Sequence, residues 1–150
     1  MAVFRIERFT HLPTAESWRR VTDWERHAAR VPLTTITVPT GLPTRVGTVF
    51  VARTGVGPLG FDDPMEVVRW TPPAVGRAGL CRVEKRGSLV RGRASIDVYP
   101  TDSGSHVVWV EELSVRLLPR WVDPLIAAAG RRVFGRVLDG MFGRPAGPGP

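Results

Sequence analysis

The residues with the most chemical promise lie in one segment, His106 to Leu117, in which Val107, Trp109, Glu111, Leu113, Val115 and Leu117 alternate with His106, Val108, Val110, Glu112, Ser114 and Arg116. Period-two alternation of this kind specifies a strand, and its more apolar phase, the first, must face a core. That choice carries Glu111 to the inner face of a sheet, with Trp109 beside it. An ionised carboxylate is costly there unless it is paired or reaches water. A carboxyl so placed can act as acid, base or hydrogen-bond anchor. A salt bridge to an inward arginine such as Arg69, or a place at the wet mouth of the sheet, would give it a purely structural role instead.

Other candidate chemistry is sparser. His11, His27, His106 and the single Cys81 are scattered without metal-ligand spacing, so no metal is expected. The run Gly55-Val56-Gly57-Pro58-Leu59-Gly60 lacks the lysine and following helix of a phosphate loop, and Pro58 removes an amide donor. It reads as a mobile hairpin loop over a pocket mouth. Ser88, Ser95 and Ser114 sit in strand-like runs with no nucleophile-elbow glycines, and Asp62-Asp63 reads as a solvated turn. No motif calls for a cofactor.

The net charge of +7 resembles that of a nucleic-acid binder, but Lys85 is the only lysine among 21 basic residues and the arginines are scattered. That skew fits a GC-rich genome better than a nucleic-acid footprint, and no zinc-finger or aromatic RNA-binding motif accompanies it. The lone cysteine excludes an internal disulfide, and charges interrupt the apolar N-terminal run MAVFRIERF. A cytoplasmic location is expected. No apolar stretch approaches the ~20 residues of a membrane span.

With 150 residues, 43% of them hydrophobic, the chain fits one domain, drawn here over residues 1–143. The tail, 144–150, is too rich in Pro and Gly to order. Ala2 to Phe9 alternates as a first strand. Short helices follow at Ala15 to Val21 and from Trp24 towards Arg30, with Thr14 and then Thr22 or Asp23 as caps. Six further strands are expected at Leu33 to Val38, Val46 to Thr54, Met65 to Thr71, Val75 to Lys85, Ser88 to Tyr99 and His106 to Leu117. The connections are too short for parallel crossovers, so the seven-stranded sheet must be antiparallel.

Asp123-Pro124 then starts a long helix ending near Phe142, with Val122, Ile126, Ala129, Val133 and Val137 along one stripe, flanked by Phe134, Leu138 and Met141. Gly130, Gly135 and Gly140 each weaken it by about 1 kcal/mol, so burial must hold it. The small residues Ala127 to Gly130, together with Gly92 and Ala94 on the inward phase of the Ser88 to Tyr99 strand, leave volume between helix and sheet. Volume of that kind is a small-molecule site if Phe50, Met65, Trp109 and Phe134 do not fill it.

Several segments together resemble the START-related SRPBCC superfamily, and within it the bacterial polyketide cyclase/dehydrase-like proteins. They are the first strand with Pro13, Ala15 and Trp18, the Val21-Thr22-Asp23-Trp24 stretch, Val46-Gly47-Thr48 with Phe50, Val68-Arg69-Trp70-Thr71-Pro72-Pro73, and Val107 to Glu112 ahead of the last helix. The resemblance implies an α+β helix-grip fold, a seven-stranded antiparallel sheet wrapped around the C-terminal helix with two short helices after strand one. It also implies a hydrophobic tunnel for lipids, polyketides or aromatic compounds. Two readings follow: a binder walled by Trp24, Phe50, Met65, Trp109, Ile126, Ala129 and Val133 with Glu111 as polar anchor, or a cyclase or dehydratase using Glu111 as general acid/base on an enolisable ketone. A filled core serving protein association, including a homodimer, is the third.

Overall fold

The computed structural model describes residues 1–143; the tail expected to be disordered, 144–150, lies outside the described residues. The alternating runs become β1 (Ala2–Thr10), β2 (Thr34–Thr37), β3 (Val49–Val56), β4 (Leu59–Thr71), β5 (Gly79–Arg86), β6 (Val90–Thr101) and β7 (Gly104–Val115). They form one antiparallel sheet in the order β1-β7-β6-β5-β4-β3-β2. Between β1 and β2 lie the short helices α1 (Thr14–Val21) and α2 (Trp24–Ala28), and after β7 a 3-10 turn, Arg120–Val122, leads into α3 (Asp123–Phe142). This is the α+β helix-grip architecture.

Two irregularities help curl the sheet. The β4–β5 register slips between Val67 and Arg69, and such a bulge bends a strand and increases its twist. On β6, Gly92 has φ 151°, and a Cβ there would collide with the backbone of Glu112 on β7. Only glycine can hold that close approach.

The short helices close one end of the curl. Asp23 caps α2 by accepting from the Arg26 amide at 3.2 Å, whereas Thr14 makes no cap and Pro13 takes that position. Trp24 stacks on Phe50 with ring centroids 4.3 Å apart, and Trp18 tilts against Trp70 at 4.8 Å. The fully buried hydroxyls of Ser17 and Ser105 lie 2.6 Å apart and fasten α1 to the start of β7.

The largest departure from the sequence reading is on β4. Its strand starts at Leu59 rather than Met65, because Gly57, at φ 55°, lets the chain reverse through Gly57-Pro58 alone. The expected loop over a mouth is therefore mostly hairpin, and Asp62 and Asp63 belong to a strand. Pro64 lies where β4 pairs with β3 alone, at a sheet margin that tolerates a residue without an N–H.

Helix α3 lies chiefly along β1. Phe4 stacks on Phe134 at 5.8 Å, Arg8 Nε donates to Asp139 at 2.8 Å, and Arg20 Nη1 donates to the Met141 carbonyl at 2.8 Å. Its N-terminal turn is tied down by the chain's amino terminus, 2.6 Å from Asp123. The packed stripe runs through Gly130, Phe134, Val137, Leu138 and Met141. Val137 belongs to the expected stripe and Phe134, Leu138 and Met141 to its expected flank, so the helix is rotated towards that flank and leaves Ile126, Ala129 and Val133 at the edge or outside the packed face. A hydrophobicity pattern passes over Gly130, yet that glycine lies close against the sheet: a Cβ there would enter the buried Phe4 ring.

Two of the helix glycines should therefore answer differently to alanine. Gly130→Ala should destabilise by about 1–3 kcal/mol despite its better helix propensity, because it overpacks Phe4. Gly135→Ala, where a Cβ meets only the end of Arg8 at 3.5 Å, should stabilise by about 0.5–1 kcal/mol. Urea unfolding of both variants checks the opposite signs.

Candidate functional site

Between the sheet, α2 and the middle of α3 lies a cavity of about 240 Å³. The inward phases of four strands supply most of its wall: Phe50, Ala52 and Thr54 from β3, Phe61, Asp63 and Met65 from β4, Val83 and Lys85 from β5, and Val90, Ala94 and Ile96 from β6. Trp109, Glu111 and Leu113 from β7 extend it, and Trp24, His27, Ala28 and Val31 roof it from the α2 side. Buried residues such as Phe50, Ile96 and Trp109 line the interior, while the half-exposed Thr34, Thr54 and Phe61 mark a mouth.

Of the residues expected at a site, Trp24, Phe50, Met65, Trp109 and Glu111 line this cavity together. Ile126, Ala129 and Val133 do not. Ala129 is exposed and the other two are half-buried, because α3 turns its Gly130–Phe134 edge to β1 and reaches the cavity with Phe134 alone. The small-residue run Ala127 to Gly130 and Gly92 likewise leave the cavity wall to others; of the small residues considered, Ala94 borders it.

Glu111 is 4% exposed and is paired, but not with Arg69, which is exposed on β4. Its Oε1 lies 3.1 Å from Lys85 Nζ, and its Oε2 accepts from Trp109 Nε1 at 3.2 Å. Lys85, 7% exposed, also donates to Asp63 Oδ2 at 2.8 Å and approaches Met65 Sδ at 3.5 Å. Burial alone would push its ammonium pKa down, but the facing carboxylates of Glu111 and Asp63 outweigh it and hold the pKa above the ordinary lysine value. Lys85 is therefore a fixed cation and not a nucleophilic amine.

His27 lies on the other side of Trp109, with ring centroids 4.9 Å apart. Its Nε2 is 2.6 Å from the Val21 carbonyl. A carbonyl only accepts, so Nε2 carries the proton and Nδ1 of the neutral ring is left as an acceptor. Burial lowers the His27 pKa to about 4. The thiol of Cys81 is buried and pushed up to about 12, which leaves it inert.

Sequence reasoning missed Asp63, Lys85, His27 and Phe61 as wall residues, and placed Phe134 as a filler of the space where it is part of the wall. Three had a readable signal: Phe61 and Asp63 keep one strand phase with Met65 and Val67, and Lys85 continues the phase of Cys81 and Val83. Among the described residues no group of three or more His, Cys, Asp or Glu side chains is placed to hold a metal ion, and no described helix is long and apolar enough to cross a membrane.

No family model and no curated protein sequence matches the chain. Solved structures do. TTHA0849 from Thermus thermophilus is similar with a TM-score of 0.69 at 16% identity, covering 93% of each chain. CV1439 from Chromobacterium violaceum is similar at TM-score 0.66 and 15% identity, over 95% of this chain and 97% of that one. Ara h 8.0201 is similar at TM-score 0.59 and 14% identity, over 91% and 97%. At such identities the likeness concerns the fold alone, the helix-grip arrangement of a curled antiparallel sheet around a long C-terminal helix.

The polar groups of the wall should set the pH and charge dependence of stability. The unfolded chain protonates His27 near pH 6.5, whereas the folded ring resists until about 4, so its stabilising contribution is complete above pH 6.5 and is lost as pH falls towards 4. Wild type should lose about 2–3 kcal/mol more between pH 7 and pH 4.5 than a His27→Gln variant, measured by urea unfolding. Lys85→Met leaves two buried carboxylates without their cation and should cost about 3–5 kcal/mol at pH 7 in the same assay.

Proposed function

We propose that this protein binds a compact small molecule with a largely apolar body in the cavity between its sheet and its helices. The observation that carries this reading is that the space is left open by its own aromatic wall. Trp24 stacks on Phe50 and Trp109 tilts on Phe134 at 5.1 Å, yet about 240 Å³ remains among them. A filled core serving protein association would have spent that volume on side chains, since interiors otherwise pack like organic crystals.

Size narrows the ligand. A cavity of about 150 Å³ holds a benzene molecule, so this one suits a molecule of one or two rings. Among lipids, polyketides and aromatic compounds, an aromatic compound is the best match, and an extended poly-keto chain is the poorest. The cyclase or dehydratase reading gains no support from Glu111. Both of its oxygens are engaged, and acting as a base would require it to share or give up its contact with Lys85 or Trp109. Binding without chemistry is the reading favoured here.

Native mass spectrometry of the purified protein, followed by denaturing extraction, tests the proposal. A small aromatic adduct is expected, and Ala94→Phe, which places a ring in the cavity from β6, should reduce its occupancy at least tenfold while the variant still folds. A clean apo mass, together with no thermal shift across small aromatic compounds of any charge, would count against ligand binding.

A further inference from the structure

The cavity has a polar wall with a one-sided hydrogen-bond inventory. Every side-chain donor that borders it has a partner within the protein. Trp24 Nε1 donates to Thr44 Oγ1 at 3.1 Å, His27 Nε2 to the Val21 carbonyl, and Trp109 Nε1 to Glu111. Thr34 Oγ1 donates to the Pro32 carbonyl at 3.1 Å, which leaves Thr54 Oγ1 to donate to Thr34 Oγ1 at 2.9 Å. The three ammonium hydrogens of Lys85 have three neighbours: Asp63 Oδ2, Glu111 Oε1 and Met65 Sδ.

Acceptors, by contrast, remain. Asp63 Oδ1 is buried and has no hydrogen-bond partner among the described residues. His27 Nδ1 is an acceptor on a ring that stays neutral at physiological pH. The charge is uneven in the same sense: two carboxylates face one ammonium, so the cluster of Asp63, Lys85 and Glu111 is formally −1. Trp24, Phe50, Phe61, Trp109 and Phe134 line the same cavity, and aromatic faces attract a cation within about 6 Å of a ring centroid.

Resting on the reading of the cavity as a ligand site, we propose that its ligand is a small organic cation, a primary or secondary ammonium carried on an aryl body. The ammonium supplies what the wall lacks, donors and positive charge, at the Asp63 and Glu111 side. The aryl body fills the space bounded by Trp24, Phe50, Trp109 and Phe134. A carboxylate ligand fails on both counts: it brings further acceptors to a wall without a free donor, and negative charge to a cluster already negative.

The test is a charge series of near-isosteric probes titrated calorimetrically into the wild-type protein at neutral pH: 2-phenylethylamine, 2-phenylethanol and 3-phenylpropanoate. The amine should bind at least tenfold more tightly than the alcohol, with the carboxylate weakest. In Asp63→Asn the amine and the alcohol should come within about threefold of each other; if that variant does not fold, the wild-type series decides alone. An alcohol or carboxylate that binds as tightly as the amine overturns the proposal while leaving the cavity a binding site. If none of the three binds, the proposal falls, and a clean apo mass with no thermal shift across small aromatic compounds would then count against the reading beneath it too.

Discussion

The approach of α3 to β1 at Gly130 sets the shape of the interior. A side chain at that position would lift the helix off Phe4. With none, the helix settles along β1, and Arg8, Arg20 and the amino terminus hold it there. A helix pressed to one side of a curled sheet cannot also fill the other side. Trp18 of α1 covers the Trp70 end of the concave face, α2 covers the part beside Phe50, and α3 reaches that part with Phe134 alone; the cavity is the remainder.

Once that space exists, its electrostatics are constrained. Asp63, Lys85 and Glu111 come from β4, β5 and β7, with β6 passing between the last two. None of the three would be tolerable inside without the others, because an isolated buried charge is far costlier than a paired one. The cluster therefore links three strands energetically. Trp109 joins it to the α2 side, since its N–H serves Glu111 while its ring meets His27 and Phe134.

The strands were legible where alternation was clean. β6 and β7 present inward the phases their sequences specify, with Val90, Ala94, Ile96 and Val98 on one and Val107, Trp109 and Glu111 on the other. Legibility failed where a residue type carried two meanings. Pro64 and the paired aspartates look like a loop, but a two-residue reversal at Gly57-Pro58 and a sheet margin accommodate them as strand. On α3 the expected stripe and flank hold Val137, Phe134, Leu138 and Met141, which do pack, but the helix turns towards the flank because Gly130, which contributes nothing to hydrophobicity, lies against Phe4. Lys85 was hidden for a related reason: a lysine counts as surface until two carboxylates from distant parts of the sequence are seen to meet it.

The burial of Lys85 also changes how the molecule presents itself to reagents. It is the chain's only lysine, and its ammonium is enclosed and held protonated, so the outer surface has arginine as its only basic side chain apart from histidine. Acylating agents, amine-directed cross-linkers and lysine-specific proteases all need access to a lysine side chain, and the folded chain withholds its own, so reaction of Lys85 with any of the three reports an opening of the cavity's polar wall.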